Sequence, residues 1–315
     1  MTSKQAPLPS GFGWNSTAAE VLGNRRLDGV LAIVTGGYAG VGLETTRVLS
    51  GAGATVIVPA RTPDKARAAL AGLARVELES LDLADPKSID AFAERFLASK
   101  RALPLLINNA GIMATPLTRD ARGFESQLAT NHLGHFQLTA RLWPALLQAK
   151  GARVVVLTSA GHRRSAFDFE DPHFERREYD KWVAYGQSKT ANALFARELD
   201  RRGEALGVRA FSVHPGAIAT DLMRHMPEEE KETTLARFKD LLKTVEQGAA
   251  TSVWCATSAQ LAGLGGVYCE NADVAREVPA DSAVLDGVRP WATDPEAAAK
   301  LWTLSEGWTG LKLEA

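Results

Sequence analysis

Seven short apolar runs alternate with helical stretches from Leu31 onward, and this alternation constrains the fold more than any other feature of the chain. The runs are residues 31–35, 55–59, 76–79, 105–108, 154–158, 209–214 and 266–269. The spacing predicts helices over 44–50, 88–98, 124–147, 185–202 and 245–257. Strand–helix alternation implies an α/β fold, a single doubly wound parallel sheet with helices on both faces. The near-continuous apolar character of the runs agrees, because parallel strands are buried on both sides. No repeat, low-complexity block or second linker interrupts the pattern. Residues 1–27 are expected to form an N-terminal arm with one short helix, since Thr17 and Glu20 have capping-box spacing. Residues 28–315 are expected to be one domain, with 276–315 as a C-terminal extension. Two polar segments, 161–182 and 218–243, resist the pattern. Each follows a strand, so each is expected at the carboxyl edge of the sheet, where such folds bind ligands.

Charge and composition remove other classes. The 315 residues carry 36 Lys and Arg against 37 Asp and Glu, a net charge of −1. A nucleic-acid partner is therefore not expected, because that needs a basic excess. No run approaches the roughly 18 apolar residues that span a bilayer. The first residues lack an apolar core behind Lys4, so neither a signal peptide nor a membrane anchor is expected. Cys255 and Cys269 match no zinc spacing and read as buried, reduced thiols, which points to the cytoplasm. His132 and His135, three apart, read as packing or surface residues and not as metal ligands, since no carboxylate or cysteine completes a site. Arg163-Arg164 with Arg176-Arg177 form a basic patch among acidic neighbours and read as a solvated loop.

The first strand runs into Gly36-Gly37-Tyr38-Ala39-Gly40-Val41-Gly42 and then a helix. Glycines at 36, 40 and 42 allow a tight turn and close approach of a pyrophosphate to the helix N-terminus, giving a Rossmann-type reading. Arg61 lies 61 − 42 = 19 residues beyond the last glycine, where enzymes selective for NAD(H) place an acid. An arginine there can pair with a 2′-phosphate, so NADP(H) is expected to be preferred with NAD(H) possible. No basic residue stands beside the Gly40–Gly42 turn, so Arg61 is expected to act alone.

Tyr185 and Lys189 are i and i+4 and share one helix face. A neighbouring ammonium is expected to lower the tyrosine from its ordinary value near 10 and fit it to exchange a proton with an alcohol or carbonyl oxygen. Ser159 ends a core strand and can orient that oxygen.

Asp82 after the third strand, Asn108-Asn109-Ala110-Gly111 after the fourth, Thr158-Ser159, Tyr185-Gly-Gln-Ser-Lys189 and His214-Pro215-Gly216 occur in order with the glycine turn. Together they resemble the short-chain dehydrogenase/reductase family over about residues 28–275. The resemblance implies a catalytic set of Asn131, Ser159, Tyr185 and Lys189, with Asn131 in Ala129-Thr130-Asn131-His132-Leu133-Gly134 anchoring a water that leads to the lysine. It implies that Asp82 and Leu83 flank the adenine and that Asn109, Ala110 and Gly111 back the nicotinamide ribose, which Lys189 also holds. Pro215, Gly216, Ile218 and Thr220 would support the nicotinamide end. As a plain structural residue, Asp82 would be a helix N-cap, although the following helix is expected nearer Ser88.

Ser159 and Tyr185 are 185 − 159 = 26 residues apart, about twice the spacing in many members. The intervening Phe167, Phe169, Phe174, Tyr179 and Trp182, together with the C-terminal Ala-Ala-Lys-Leu-Trp-Thr-Leu-Ser-Glu-Gly-Trp, resemble the retinol dehydrogenase and protochlorophyllide reductase branch. Segment 218–243 is expected to be a substrate lid. Met223, Met226, Leu235, Phe238 and Leu242 would face the pocket, with residues 228–231 in water. The expected function is an NADP(H)-dependent oxidoreductase interconverting a bulky apolar ketone or aldehyde and its alcohol. Reduction of an activated C=C bond and a non-catalytic cofactor-sensing regulator are the alternatives. A homodimer or homotetramer could form through the long helices before the fifth and sixth strands. The tail bearing Trp302 and Trp308 would either cap that interface or dock on its own subunit.

Overall fold

The computed structural model describes residues 4–313. The first three residues of the expected arm and the last two of the expected extension lie outside them. The strands are β1 (Leu31–Val34), β2 (Thr55–Ala60), β3 (Val76–Ser80), β4 (Leu105–Asn108), β5 (Ala152–Leu157), β6 (Val208–His214), β7 (Val267–Glu270) and β8 (Asp273–Val274). They form one sheet in the order β3-β2-β1-β4-β5-β6-β7-β8. Neighbours pair in parallel as far as β7, and β8 returns antiparallel. The order reverses between β1 and β4, which opens a ligand crevice beyond the strands' carboxyl ends.

The helices are α1 (Ala18–Leu22), α2 (Gly40–Gly51), α3 (Pro63–Ala69), α4 (Pro86–Ala98), α5 (Ser126–Leu128), α6 (Gly134–Arg141), α7 (Trp143–Gln148), α8 (Lys181–Gly203), α9 (Glu228–Arg237), α10 (Val245–Thr257) and α11 (Pro295–Thr309). Successive β1 residues feed opposite cores. Ala32 and Val34 pack with Leu49 of α2 and Trp254 of α10. Leu31 and Ile33 pack with Phe92 of α4, Phe136 of α6 and Phe195 of α8. Burial on both faces is why the central strands are largely apolar, whereas the edge strand β3 alternates apolar and acidic residues and is only half-buried. Both cysteines are free and buried. Among the described residues no helix is long and apolar enough to cross a membrane.

Several elements differ from the sequence expectation, each for a local reason. The helix expected over 124–147 is broken into α5, a π turn at Ala129–Leu133, α6 and α7. Pro144, in the first turn of α7, has no N–H to continue the ladder of α6. Helix α4 starts at Pro86, capped by Asp85, whose carboxylate accepts the Lys87 N–H at 2.9 Å. Asp82 is thus not its cap, and the start lies before Ser88. Helix α8 starts one turn early because Asp180 accepts the N–H groups of Trp182 and Val183 at 2.7 and 2.8 Å. Helix α3, short and polar, was not expected, nor was β8. Helix α1 carries the expected Thr17–Glu20 capping box.

The C-terminal tail docks on its own subunit. Trp302 is 1% exposed. Its ring stands 5.0 Å from Phe136 and 5.9 Å from Phe195, and Arg202 lies 4.6 Å from its centre. Helix α11 therefore covers part of the α6 and α8 surface.

Candidate active site

The crevice holds a cavity of about 1190 Å³. Of the residues expected at the site, Gly36, Tyr38, Ala39, Gly40, Val41, Gly42, Arg61, Asn109, Ala110, Gly111, Ser159, Tyr185, Lys189, Pro215, Gly216, Ile218 and Thr220 line it. Asn131, Asp82 and Leu83 do not. Leu83 is buried against Gly134 of α6, whose added Cβ would stand 2.4 Å from the Leu83 carbonyl. Asp82 Oδ1 accepts the Ala84 N–H at 2.9 Å, shaping the turn after β3.

The glycine turn is built to be bare. Gly36 has a φ of +64°, and a Cβ on Gly42 would stand 2.4 Å from the Gly36 carbonyl oxygen and from Asn109 Nδ2. Only glycine lets these strands of backbone meet. The turn is held from behind by Thr35, whose hydroxyl accepts the N–H groups of Asn109 and Ala110 at 2.9 and 3.0 Å. Those two bonds use both hydroxyl lone pairs, so the Thr35 O–H donates to His135 Nε2 at 2.9 Å. His135 Nδ1–H then donates to the Asn131 carbonyl at 2.9 Å. Burial pushes His135 down to about 4, so the ring is neutral. His132 is likewise buried and reaches Ser305 Oγ of α11 at 2.8 Å. Neither histidine lies at the surface.

Asn131 sits in the π turn, a geometry that recurs at functional sites. Its Oδ1 accepts the Ile112 N–H at 2.8 Å, and its Nδ2 donates to the Ile112 carbonyl and to Ser188 Oγ at 3.0 Å each. It lies beneath the cavity floor: a Cβ on Gly111 would stand 3.1 Å from Asn131 Oδ1 and 3.5 Å from Lys189 Nζ.

Ser159 lies two residues beyond β5 and caps the 3₁₀ turn Ala160–Arg164, its Oγ accepting the Gly161 N–H at 3.0 Å. A Cβ on Gly161 would stand 2.7 Å from the Tyr185 ring and 3.4 Å from Ser159 Oγ, so this glycine lets the two side chains share one spot. Lys189 Nζ donates to the Leu157 carbonyl at 3.1 Å and lies 5.7 Å from the centre of the Tyr185 ring. The expected lowering of the tyrosine is not found. Burial pushes the Tyr185 phenol up to about 12, and its Ser159 hydrogen bond opposes this. Burial also pulls Lys189 down to about 8. Desolvation outweighs the charge–charge attraction that the spacing suggested.

Segment 218–243 forms one cavity wall. Met223, Leu235, Phe238 and Leu242 line it, whereas Met226 packs behind with Ala114. Residues 228–231 are not all in water. Glu230 turns inward and accepts from Trp182 Nε1 at 2.9 Å and from Lys181 Nζ at 2.5 Å. Lys181 holds its carboxyl below the usual range. The opposite end contains a second cation that sequence reasoning missed: Lys65, in the unexpected helix α3, lines the cavity with Arg61 and lies 3.4 Å from Asp221. Arg61 is not alone there. Trp14 of the arm also lines the cavity, with Lys243 Nζ 4.6 Å from its ring centre.

These residues fit a dinucleotide. The bare turn meets the N-terminus of α2, the cations stand at one end of the cavity, and the serine, tyrosine and lysine stand at the other.

Known proteins are similar to this chain over most of its length. The family model described as short chain dehydrogenase matches residues 30–231. A "Probable oxidoreductase" of Streptomyces lividans is 46% identical, over 89% of this chain and 99% of that one. Retinol dehydrogenase 12 of Homo sapiens is 38% identical, over 92% of this chain and 90% of that one. A solved structure of an uncharacterized protein from Mycobacterium paratuberculosis has a TM-score of 0.75 at 34% identity, over 96% and 100% of the two chains. The Pseudomonas aeruginosa RhlG/NADP complex shares the fold, with a TM-score of 0.64 at 23% identity, over 78% and 95% of the two chains. The protein belongs to the short-chain dehydrogenase/reductase family, in its retinol dehydrogenase-like branch, and is an NAD(P)-dependent oxidoreductase.

Proposed function

We propose that the protein reduces a bulky ketone or aldehyde, or oxidises the matching alcohol, with NADP(H) as the preferred cofactor. The observation that carries this reading is the convergence of Ser159, Tyr185 and Lys189 on one cavity with the bare glycine turn. When bound, the nicotinamide supplies or accepts the hydride. Ser159 and Tyr185 hydrogen-bond the substrate oxygen and fix its position. Tyr185, protonated at neutral pH, donates its proton to that oxygen in reduction and takes it back in oxidation. Lys189 stabilises the phenolate that reduction leaves. Asn131 holds the floor beneath Lys189, and segment 218–243 closes over the substrate and excludes water.

Lys189 sets a pH limit. Its ammonium is lost as pH rises through about 8, and the phenolate then forms without a counter-charge. The rate of carbonyl reduction is expected to be flat below that pH and to fall above it in a pH–rate profile. A rate that stays flat to the free-lysine range would remove Lys189 from this role.

Arg61 and Lys65 would hold the 2′-phosphate, Arg61 through its planar fork. Charge-assisted hydrogen bonds contribute about 1.5–3 kcal/mol each. Arg61→Ala with Lys65→Ala is therefore expected to raise the KM for NADPH at least about tenfold, with a much smaller change for NADH. Equal changes for both cofactors would withdraw the NADP(H) preference.

A further inference from the structure

Arg163 and Arg164 lie in the 3₁₀ turn Ala160–Arg164, which starts from the Ser159 cap. The structure separates them from the other half of the basic patch. Arg177 pairs with Asp168 at 3.3 Å and lies 3.9 Å from the Phe174 ring centre, and Arg176 donates to the Glu170 carbonyl. Arg163 and Arg164 instead line the cavity. Among the described residues neither forms an ion pair. Arg163 Nη2 reaches only the Gly287 carbonyl, at 3.5 Å, and its buried Nε has no partner. Arg164 lies 5.2 Å from the centre of the Trp182 ring, whose edge meets the Tyr185 ring at 6.5 Å.

The carboxylates of the cavity are engaged elsewhere. Glu230 is held by Lys181 and Trp182, Asp221 by Lys65, and Asp286 by Arg276 at 3.0 Å. Glu270 is buried and accepts the Gly287 N–H at 2.6 Å; burial raises its carboxyl, while that hydrogen bond and the nearby Arg163 guanidinium act to lower it. Two guanidiniums thus line the cavity outside any salt bridge among the described residues, with only the buried Glu270 carboxyl in electrostatic reach of Arg163, beside an apolar surface of Trp182, Met223 and Leu235. A guanidinium beside low-dielectric walls favours a planar, bidentate anion.

We propose that Arg163 and Arg164 form a carboxylate subsite, so that the substrate is an amphipathic oxo-acid: a carbonyl or alcohol, an apolar body and a distal carboxylate. This rests on the carbonyl reductase reading above and names its substrate class. The test compares ω-oxododecanoic acid with its methyl ester in NADPH-dependent reduction by the wild type and by Arg163→Gln/Arg164→Gln. The wild type should prefer the acid at least about tenfold in kcat/KM, and the double variant should lose about that factor on the acid and far less on the ester. High salt should erode the preference, since the subsite is open to water. Binding of dodecanoate to the NADP⁺-loaded protein, followed by calorimetry, is the second measurement. Dodecanoate binding that the double variant loses, with neither aldehyde reduced, would keep the subsite and fail the reductase reading. An ester as good as the acid, a double variant that weakens both alike, or no dodecanoate binding by the wild type would overturn the subsite. Reduction of the ester would then leave the reductase reading intact. Unchanged unfolding midpoints confirm that the variant is folded.

Discussion

Tyr185→Phe is expected to lower kcat for carbonyl reduction about a thousandfold, within the 10²–10⁴ range of positioned general acids. The substitution removes one oxygen and keeps the ring. The ring is held by its surroundings: Gly161 approaches one side and Trp182 meets it edge-on at 6.5 Å. Tyr185 is 4% exposed and its phenol hydrogen-bonds Ser159, so phenylalanine leaves little unpaired. NADPH affinity and the unfolding midpoint should therefore stay near wild type while turnover collapses. Loss of cofactor binding in parallel would mean that the tyrosine shapes the cavity and is not its proton donor. A rate within a few fold of wild type would place the donor elsewhere.

Trp302→Ala is expected to destabilise the protein by about 3–5 kcal/mol, the cost of truncating a large buried aromatic. Trp302 is 1% exposed and contacts Phe136 and Phe195 from α6 and α8. Its indole N–H donates to Glu306 Oε1 at 2.8 Å within α11. Helix α8 carries Tyr185 and Lys189, and α6 follows directly on the Asn131 turn. The tail thus braces α8, which carries two catalytic candidates, and α6, which follows the turn bearing a third, although it lies outside the family match. Denaturant unfolding should show the loss, and activity per folded molecule should fall less than stability. A change below about 1 kcal/mol would show a site able to collapse around the missing ring.

Much of the architecture was legible because it follows from burial. Leu31–Val34 and residues 105–107 are apolar on both faces, which only a central parallel strand requires. The i, i+4 spacing of Tyr185 and Lys189 placed both on one helix face, and both line the cavity. What was not legible depends on partners distant in sequence. The π turn at Asn131 is fixed by Ile112, Ser188 and the Thr35–His135 relay, and nothing local distinguishes it from an α-helix. Glu230 turns inward because Trp182 and Lys181 lie across the cavity, whereas its own helix reads as a solvated acidic face. Lys65 was missed because the seven residues of α3 carry too little apolar periodicity to announce a helix. Tyr185 was expected at a lowered value because spacing reveals its neighbour and not its burial. Arg163 and Arg164 read as one basic patch with Arg176 and Arg177 among acidic neighbours, yet Asp168 and Asp171 pair with Arg177 and leave Arg163 and Arg164 lining the cavity.

The central claim is that hydride passes between the nicotinamide and a carbonyl carbon while Tyr185 handles the proton. Its most direct test is the position of the label after incubating the protein with 4,4-dideuterated NADPH and a bulky α,β-unsaturated aldehyde, read by NMR of the product. Deuterium on the carbinol carbon, absent with Tyr185→Phe, is the predicted result. Deuterium on the β-carbon would make the protein a reductase of activated double bonds, and tight NADPH binding with no label in any product would make it a cofactor-sensing regulator.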